Sequence, residues 1–297
     1  MRDRMDAHRK DARRAPAETV TPELLRSWPL PEPSGSKKSR GEVLVVGGAL
    51  RSPGAAMLAG RAALRVGAGR LTLAVGSAVA AQVAVAVPES GVVPLAETAG
   101  GSIRGTGIRA AAADLAGADA VLLGPGLDDA AETARMLPRA ARAAGRDTVL
   151  VLDAYALGAL AGHPRLAGDG PRILTPNTEE AARLLGRDTG DLDADARELA
   201  RRYRAVVSCF GRIAAPDGRL LTVGDGDVGL GTSGSGDALA GAITGLAARG
   251  AEPLQAAVWG TYLHAAAGRH LTTAIGPLGF LASEIVDRLT TELSALS

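Results

Sequence analysis

The sequence predicts an α/β fold: a mostly parallel central sheet with helices on both faces. Three observations lead there. Short, wholly apolar strands such as Val43–Val46 and Ala120–Leu123 alternate with amphipathic helical stretches, the pattern of a sheet covered on both sides. Several of these strands end in Gly or Asp and run straight into a helix. Aromatic residues are only 2% of the 297 residues, so the core must be aliphatic.

Residues 1–40 are rich in charge, Pro and Ser. They read as a flexible arm with one short helix at Pro22–Ser27 and an extended Pro-Leu-Pro-Glu-Pro segment. Residues 41–297 read as one domain. Val43–Val46 is a strand stopped by Gly47-Gly48, and 54–67 is a helix with Ala, Leu and Val on one face and Arg61 and Arg65 on another. A strand at 71–75 and a helix at 77–84 follow. Ala120–Leu123 leads through Gly124-Pro125-Gly126 into a helix over 128–144. The strand 148–152 ends in Asp153 before a helix at 154–161, and the strand 172–174 leads through Thr-Pro-Asn into a helix at 178–185. A helix at 191–203, a strand at 205–209 and a hairpin over 212–223 around Pro216-Asp217-Gly218 come next. Helices over 236–249, 253–269 and 279–294 finish the chain.

Composition removes several function classes. Lys+Arg is 33 and Asp+Glu 32, a net charge of +1, so a nucleic-acid partner, which calls for a basic stripe, is not expected. The three lysines are Lys10, Lys37 and Lys38, and none follows G-x-x-x-x-G, which excludes a Walker-type phosphate loop. Cys209 is the single cysteine and the four histidines form no H-E-x-x-H, which argues against a zinc site. The charged N-terminus has no apolar signal core, and no run of about 18 apolar residues occurs. The expectation is a cytoplasmic protein with no membrane partner.

Ligands of such sheets sit beyond the carboxyl ends of the strands. The strongest signal there is Gly229-Leu-Gly-Thr-Ser-Gly-Ser-Gly-Asp237, a glycine loop running directly into an Ala/Leu helix. Gly234 and Gly236 permit close backbone approach, and the unpaired N–H groups of the first turn form an anion pocket suited to phosphate. Asp237 lies in that turn, where it either complements the helix N-terminus or serves as general base toward a substrate hydroxyl. Asp153 either caps the following helix or positions a metal ion or hydroxyl. Asn177 and Glu180, three apart at a strand's end, either start a helix or hold water around Mg²⁺ and phosphate. Gly124-Pro125-Gly126 is either a tight turn or a place where ligand lies against backbone; it is not a dinucleotide fingerprint, since Asp129 takes the third glycine's place. Cys209 and the late histidines His264 and His270 read as packing or surface residues.

Taken in order, RGEVLVVGGALRSPGAAMLAGRAALRVGAGRLTLAV, ADAVLLGPGL, VLDAYAL, ILTPNTEEAARLLG and GLGTSGSGDALAGAITGLAARG resemble the ADP/ATP-dependent NAD(P)H-hydrate dehydratase family. This is the carbohydrate-kinase-like domain of the ribokinase-like superfamily, and the resemblance covers about residues 20–295. It implies a ribokinase-like three-layer sandwich and repair of hydrated nicotinamide cofactor by phosphoryl transfer to the C6 hydroxyl, followed by phosphate loss. It implies that Ala55, Gly126, Asn177 and Asp237 contact the hydrated cofactor. Gly234, Ser235 and Gly236 would contact the phosphate of ADP or ATP. It also implies Mg²⁺ dependence and a homo-oligomer. Two departures stand out. Asn177-Thr178-Glu179-Glu180 replaces the family's H-P-G-E and is closer to the N-x-x-E of sugar kinases, and no lysine follows Lys38. A positive phosphate contact would then come from Arg212, and Glu180 is the candidate metal contact. The alternatives are a ribokinase-like kinase of a small alcohol and a degenerate nucleotide-binding homologue.

Overall fold

The computed structural model describes residues 16–32, 35–36, 39–224 and 228–296. Among them the strands are β1 (Glu18–Thr19), β2 (Glu42–Val46), β3 (Arg70–Gly76), β4 (Ser90–Leu95), β5 (Ala120–Leu123), β6 (Val149–Leu152), β7 (Arg172–Leu174), β8 (Val206–Cys209), β9 (Arg212–Ala214) and β10 (Leu220–Thr222). The helices are α1 (Pro22–Ser27), α2 (Pro53–Arg65), α3 (Ala80–Ala86), α4 (Ala112–Gly117), α5 (Ala130–Ala143), α6 (Tyr155–Leu160), α7 (Thr178–Leu185), α8 (Leu192–Tyr203), α9 (Ser235–Ala248), α10 (Pro253–Ala274) and α11 (Ala282–Ser294).

The strands join in one sheet of order β1-β10-β9-β8-β7-β6-β5-β2-β3-β4. All pairings are parallel except those of β9, which runs antiparallel to β8 and β10. Side-chain alternation splits the interior into two layers. Val43 and Val45 face a core shared with α2, α9, α10 and α11. Leu44 and Val46 face the opposite core, shared with α5, α6, α7 and α8. The result is the expected three-layer sandwich.

From β2 the chain first winds outward through β3 and β4, then crosses to β5 on the other side of β2 and winds the opposite way. The switch point of the sheet is therefore the seam between β2 and β5, where a crevice is expected. α9 packs against α2 at close range: a methyl on Gly241 or Gly245 would collide with the carbonyl oxygens of Ala59 and Ala63. This crossing brings the start of α9 toward the same seam.

One expectation needs correction, and two segments hold elements where none was expected. The stretch expected to be a flexible arm over 1–40 holds ordered, packed structure. β1 pairs with β10, Leu25 is fully buried, and the Trp28 carbonyl accepts from Trp259 Nε1 at 3.1 Å and Gln255 Nε2 at 3.2 Å. Burial of a few apolar side chains outweighs the charge-rich local composition. Residues 1–15, 33–34 and 37–38 of that arm lie outside the described residues. The edge strand β4 was not foreseen, because its Pro94 argues against a strand; an edge position tolerates the missing donor. Gly105–Ala111 forms a 3₁₀ segment leading into α4, also unforeseen, since its Gly/Ala run carries little amphipathic contrast.

Candidate active site

Five segments meet on the carboxyl side of the sheet. The loops after β2 and β5 interlock: Gly48 N–H donates to the Pro125 carbonyl at 2.8 Å and Ala49 N–H to the Gly126 carbonyl at 2.9 Å. The glycines here are required by packing. A methyl on Gly47 would overlap the Pro125 carbonyl, and one on Gly124 (φ 137°) the Asp153 carbonyl. Gly126, at φ 69°, lies against Ser52 and Ala55, whose Cβ is 3.2 Å from where a Gly126 Cβ would be. Ala55 and Gly126, paired on resemblance, are thus neighbours. α2 continues toward the other glycine loop, with Leu58 against Gly234.

At that second loop Gly234 takes φ 87° and no side chain caps α9. Ser235 N–H bonds the Thr232 carbonyl. The described residues offer no acceptor to the N–H groups of Gly236 and Asp237, and the space beside Gly236 is open. This is a helix N-terminus with donors to spare. Asp237 is partly buried, and none of the described residues donates to or pairs with its carboxylate. Burial alone raises its pKa to about 6, so at neutral pH it is mostly an unengaged carboxylate, as a general base must be.

Asp153 presents the opposite state. Burial lifts its pKa to about 8, and the negative charges of Glu180 and Asp237 push the same way. Thr175 Oγ1 donates to Asp153 Oδ1 at 2.8 Å and stabilises the carboxylate, but not enough to reverse the shift. Asp153 therefore carries a proton at neutral pH. The next residue, Ala154, sits at φ 48°, ψ −122°, a conformation few residues with a Cβ adopt. The chain is bent sharply just where the acid leaves β6.

The structure reassigns some candidates. The Ser235 hydroxyl is engaged within the fold: the residue is 4% exposed and its Oγ lies 2.9 Å from His264 Nε2. Its first-turn position turns the side chain back toward α10. Asn177 and Glu180 form a reciprocal capping box, Glu180 N–H to Asn177 Oδ1 and Asn177 N–H to Glu180 Oε2, each 2.9 Å. Their spacing is thereby accounted for by the start of α7, which leaves the Asn177 amide nitrogen and Glu180 Oε1 facing outward from the box. Arg212 is engaged with Asp193 at 3.3 Å and with the Phe210 carbonyl at 3.2 Å, beside the loop after β8. Cys209 is buried, and burial pushes its thiol up to about 11, so it is inert as expected. Sequence reasoning did not single out the Thr175 bond to Asp153, and its reading of His264 as a packing or surface residue left out the bond to Ser235. The one available signal was the i, i+3 pair Thr261 and His264, polar positions in a helix otherwise rich in Ala and apolar residues.

No three acidic, His or Cys side chains among the described residues meet as a metal-binding group. No helix among them is long and apolar enough to cross a membrane.

A mostly parallel three-layer sandwich, with an uncapped helix start and an acid in its first turn at the switch point, is a ribokinase-like arrangement. The sequence profile of NAD(P)H-hydrate dehydratase matches residues 43–291, and the chain belongs to that family. It is 47% identical over 274 residues to an ADP-dependent (S)-NAD(P)H-hydrate dehydratase of Xanthomonas campestris pv. campestris, covering 90% of this chain and 93% of the relative. It is 39% identical to the bifunctional NAD(P)H-hydrate repair enzyme Nnr of Moorella thermoacetica, covering 90% of this chain and spanning 52% of that longer protein. The ADP/ATP-dependent NAD(P)H-hydrate dehydratase of Bacillus subtilis, co-crystallized with ATP/Mg²⁺, superposes with TM-score 0.81 at 28% identity, covering 95% of this chain and 99% of that one.

Proposed function

We propose that this chain dehydrates the (6S) hydrate of NADH or NADPH at the expense of ADP, with ATP as the other candidate donor. The observation that carries this reading is the pairing of amide donors at Gly236 and Asp237 with an Asp237 carboxylate that none of the described residues engages. The amides stabilise charge on the phosphoryl group in transit. Asp237 takes the proton of the C6 hydroxyl as its oxygen attacks the terminal phosphorus of ADP. A phosphorus–oxygen bond forms to the hydrate, the bond to the AMP leaving group breaks, and AMP departs. The C6–oxygen bond then breaks, phosphate leaves with its electron pair, and loss of a proton from C5 restores the ring double bond. Ala55 and Gly126, adjoining at the β2–β5 seam, form the wall for the nicotinamide half of the substrate.

Mg²⁺ fits this corner in the form in which a nucleotide carries it. Glu180 and Asp237 place negative charge in this corner, which adds to the burial that raises the Asp153 pKa, and Mg²⁺ needs only one or two carboxylates besides phosphate and water. Glu180, through the oxygen outside its capping box, would hold the ion, which when bound neutralises phosphate charge.

Incubation with hydrated NADH and ADP, followed by absorbance of regenerated NADH, tests the reading. Recovery of NADH with release of AMP and phosphate is expected. A chain that leaves the hydrate untouched but consumes ATP with a small alcohol would be a kinase instead, and one that binds ADP without turnover a degenerate homologue.

A further inference from the structure

The start of α9 has no side-chain cap of its own, yet it must hold its amides still against a transferring phosphoryl group. Its anchor comes from a different helix. His264 on α10 is 8% exposed and Ser235 4% exposed. His264 Nε2 lies 2.9 Å from Ser235 Oγ and 3.0 Å from the Ser235 carbonyl oxygen. A carbonyl only accepts, so Nε2 carries the hydrogen and donates to Ser235 through a shared bond. Burial pushes the imidazole down to about 4, so the ring is neutral and adds no charge of its own to the phosphate corner.

One turn earlier on the same face of α10, Thr261 Oγ1 lies 2.8 Å from Ser208 Oγ, both buried. Ser208 precedes Cys209 and the loop after β8, where Phe210 (φ 50°) and Gly211 (φ 74°) turn the chain. α10 therefore grips two separate segments on the carboxyl side of the sheet through two successive buried polar contacts. One is the glycine loop that starts α9; the other is the strand end beside Arg212. Both contacts lie in an otherwise apolar interface, since Ala257, Val258, Ala265 and Ala267 of α10 are buried in the core. An unsatisfied buried polar atom is costly, so each contact acts as a register lock and not as general adhesion.

We infer that His264 is a positioning residue for the phosphoryl-transfer corner: by holding Ser235 from α10, it sets the orientation of the Gly236 and Asp237 amides and of the Asp237 carboxylate. This rests on the function proposed above. It identifies what keeps an uncapped, glycine-started helix in register for chemistry.

The test compares His264→Leu, His264→Asn and, as a stability control, Val258→Ala, a buried position on the same helix that makes neither of the two hydrogen bonds. Turnover of hydrated NADH with ADP is measured together with thermal midpoint and with the backbone amide NMR shift of Gly236 on adding ADP. His264→Leu is expected to lower kcat about 100-fold, leave KM for the hydrate within about threefold, and diminish the ADP-induced shift at Gly236. His264→Asn, which restores a donor, is expected to recover at least tenfold of the lost rate. Val258→Ala is expected to lower the midpoint with kcat within twofold. If folded His264→Leu keeps kcat within twofold, or if Val258→Ala loses as much rate at equal loss of midpoint, the positioning role is overturned. Should His264→Leu fail to fold, His264→Asn decides alone, since wild-type kcat and an unchanged Gly236 response support the donor role and a rate as low as that of denatured protein overturns it. A wild-type chain with no turnover overturns the proposed function instead, and the Gly236 response of the variants to ADP still decides the role of His264.

Discussion

The glycine-rich loops of the site look alike in sequence, but their glycines do different things in the fold. At Gly47, Gly124 and Gly126 a methyl group would run into backbone carbonyls of Pro125, Asp153 and Ser52; these glycines let chain pack on chain. At Gly236 none of the described residues stands within reach of a Cβ, so this glycine is not required by packing among them. The same contrast separates the two acids. Asp153 is sealed, hydrogen-bonded by Thr175 and protonated, whereas Asp237 is half-open, unengaged and mostly ionised at neutral pH. Asp153 is thus held from within the chain by Thr175, whereas the described residues leave the Gly236 and Asp237 amides and the Asp237 carboxylate without partners. A loop of glycines identifies a close approach; only its neighbours tell whether the approaching body is the chain or a substrate.

This contrast can be broken most forcefully at Asp237. Asp237→Asn keeps the shape of the corner but removes the base, and turnover should fall by about 10²–10⁴-fold with ADP affinity within a few-fold. Steady-state NADH recovery and calorimetry check both halves. A near-normal rate would place the base elsewhere.

The glycines come next. Gly124→Ala meets both an overlap with the Asp153 carbonyl and a positive φ, and should cost about 3 kcal/mol or more in urea unfolding. Gly236→Ala meets neither and should unfold within about 0.5 kcal/mol of wild type, while its methyl intrudes on the phosphate and weakens ADP binding. Equal stability losses in the two variants would erase the distinction between the two glycines.

A smaller effect separates the acids by pH. Turnover should decline about tenfold per unit once pH drops below about 6, as Asp237 gains a proton. Stability should move the other way. Both folded pKa values, about 6 for Asp237 and about 8 for Asp153, exceed the unfolded value of 3.8. Between those limits the folded chain binds more protons than the unfolded chain, so stability from these groups is full below 3.8 and is lost as pH rises through about 6 and then 8. Asp153→Asn should remove the upper part of that decline, read from urea midpoints at pH 5 and pH 8.

The smallest change tests the reassigned pair. Asn177→Ala removes the cap of α7 and should cost about 1 kcal/mol in urea unfolding, with kcat altered less than by Asp237→Asn. A rate loss as large as that of Asp237→Asn with no stability change would return Asn177 to the substrate.

Much of the architecture was legible because it is locally encoded. Four-residue apolar strands and amphipathic helices of ten or more residues repeat their signal at every turn, and the α5, α7 and α8 regions emerged close to their bounds. β4 was hidden by Pro94, which only its edge position makes harmless. The packed segment from β1 to Trp28 was hidden by its charged surroundings. The position of Asp237 in the first turn of α9 could be read from the glycines ahead of it. The inward turn of Ser235 could not, because His264 lies 29 residues away on another helix.

Sequence alone determined the fold class from periodicity and the family from its ordered motifs, and it marked Asp153 and Asp237 as candidates at a strand end and a helix start, since each signal lies in residues adjacent along the chain. The tertiary structure decided which glycines meet backbone and which have open space beside them among the described residues, which acid burial holds protonated, and what bonds the start of α9. Those properties depend on burial and on charges brought together from distant segments, and no local pattern carries them.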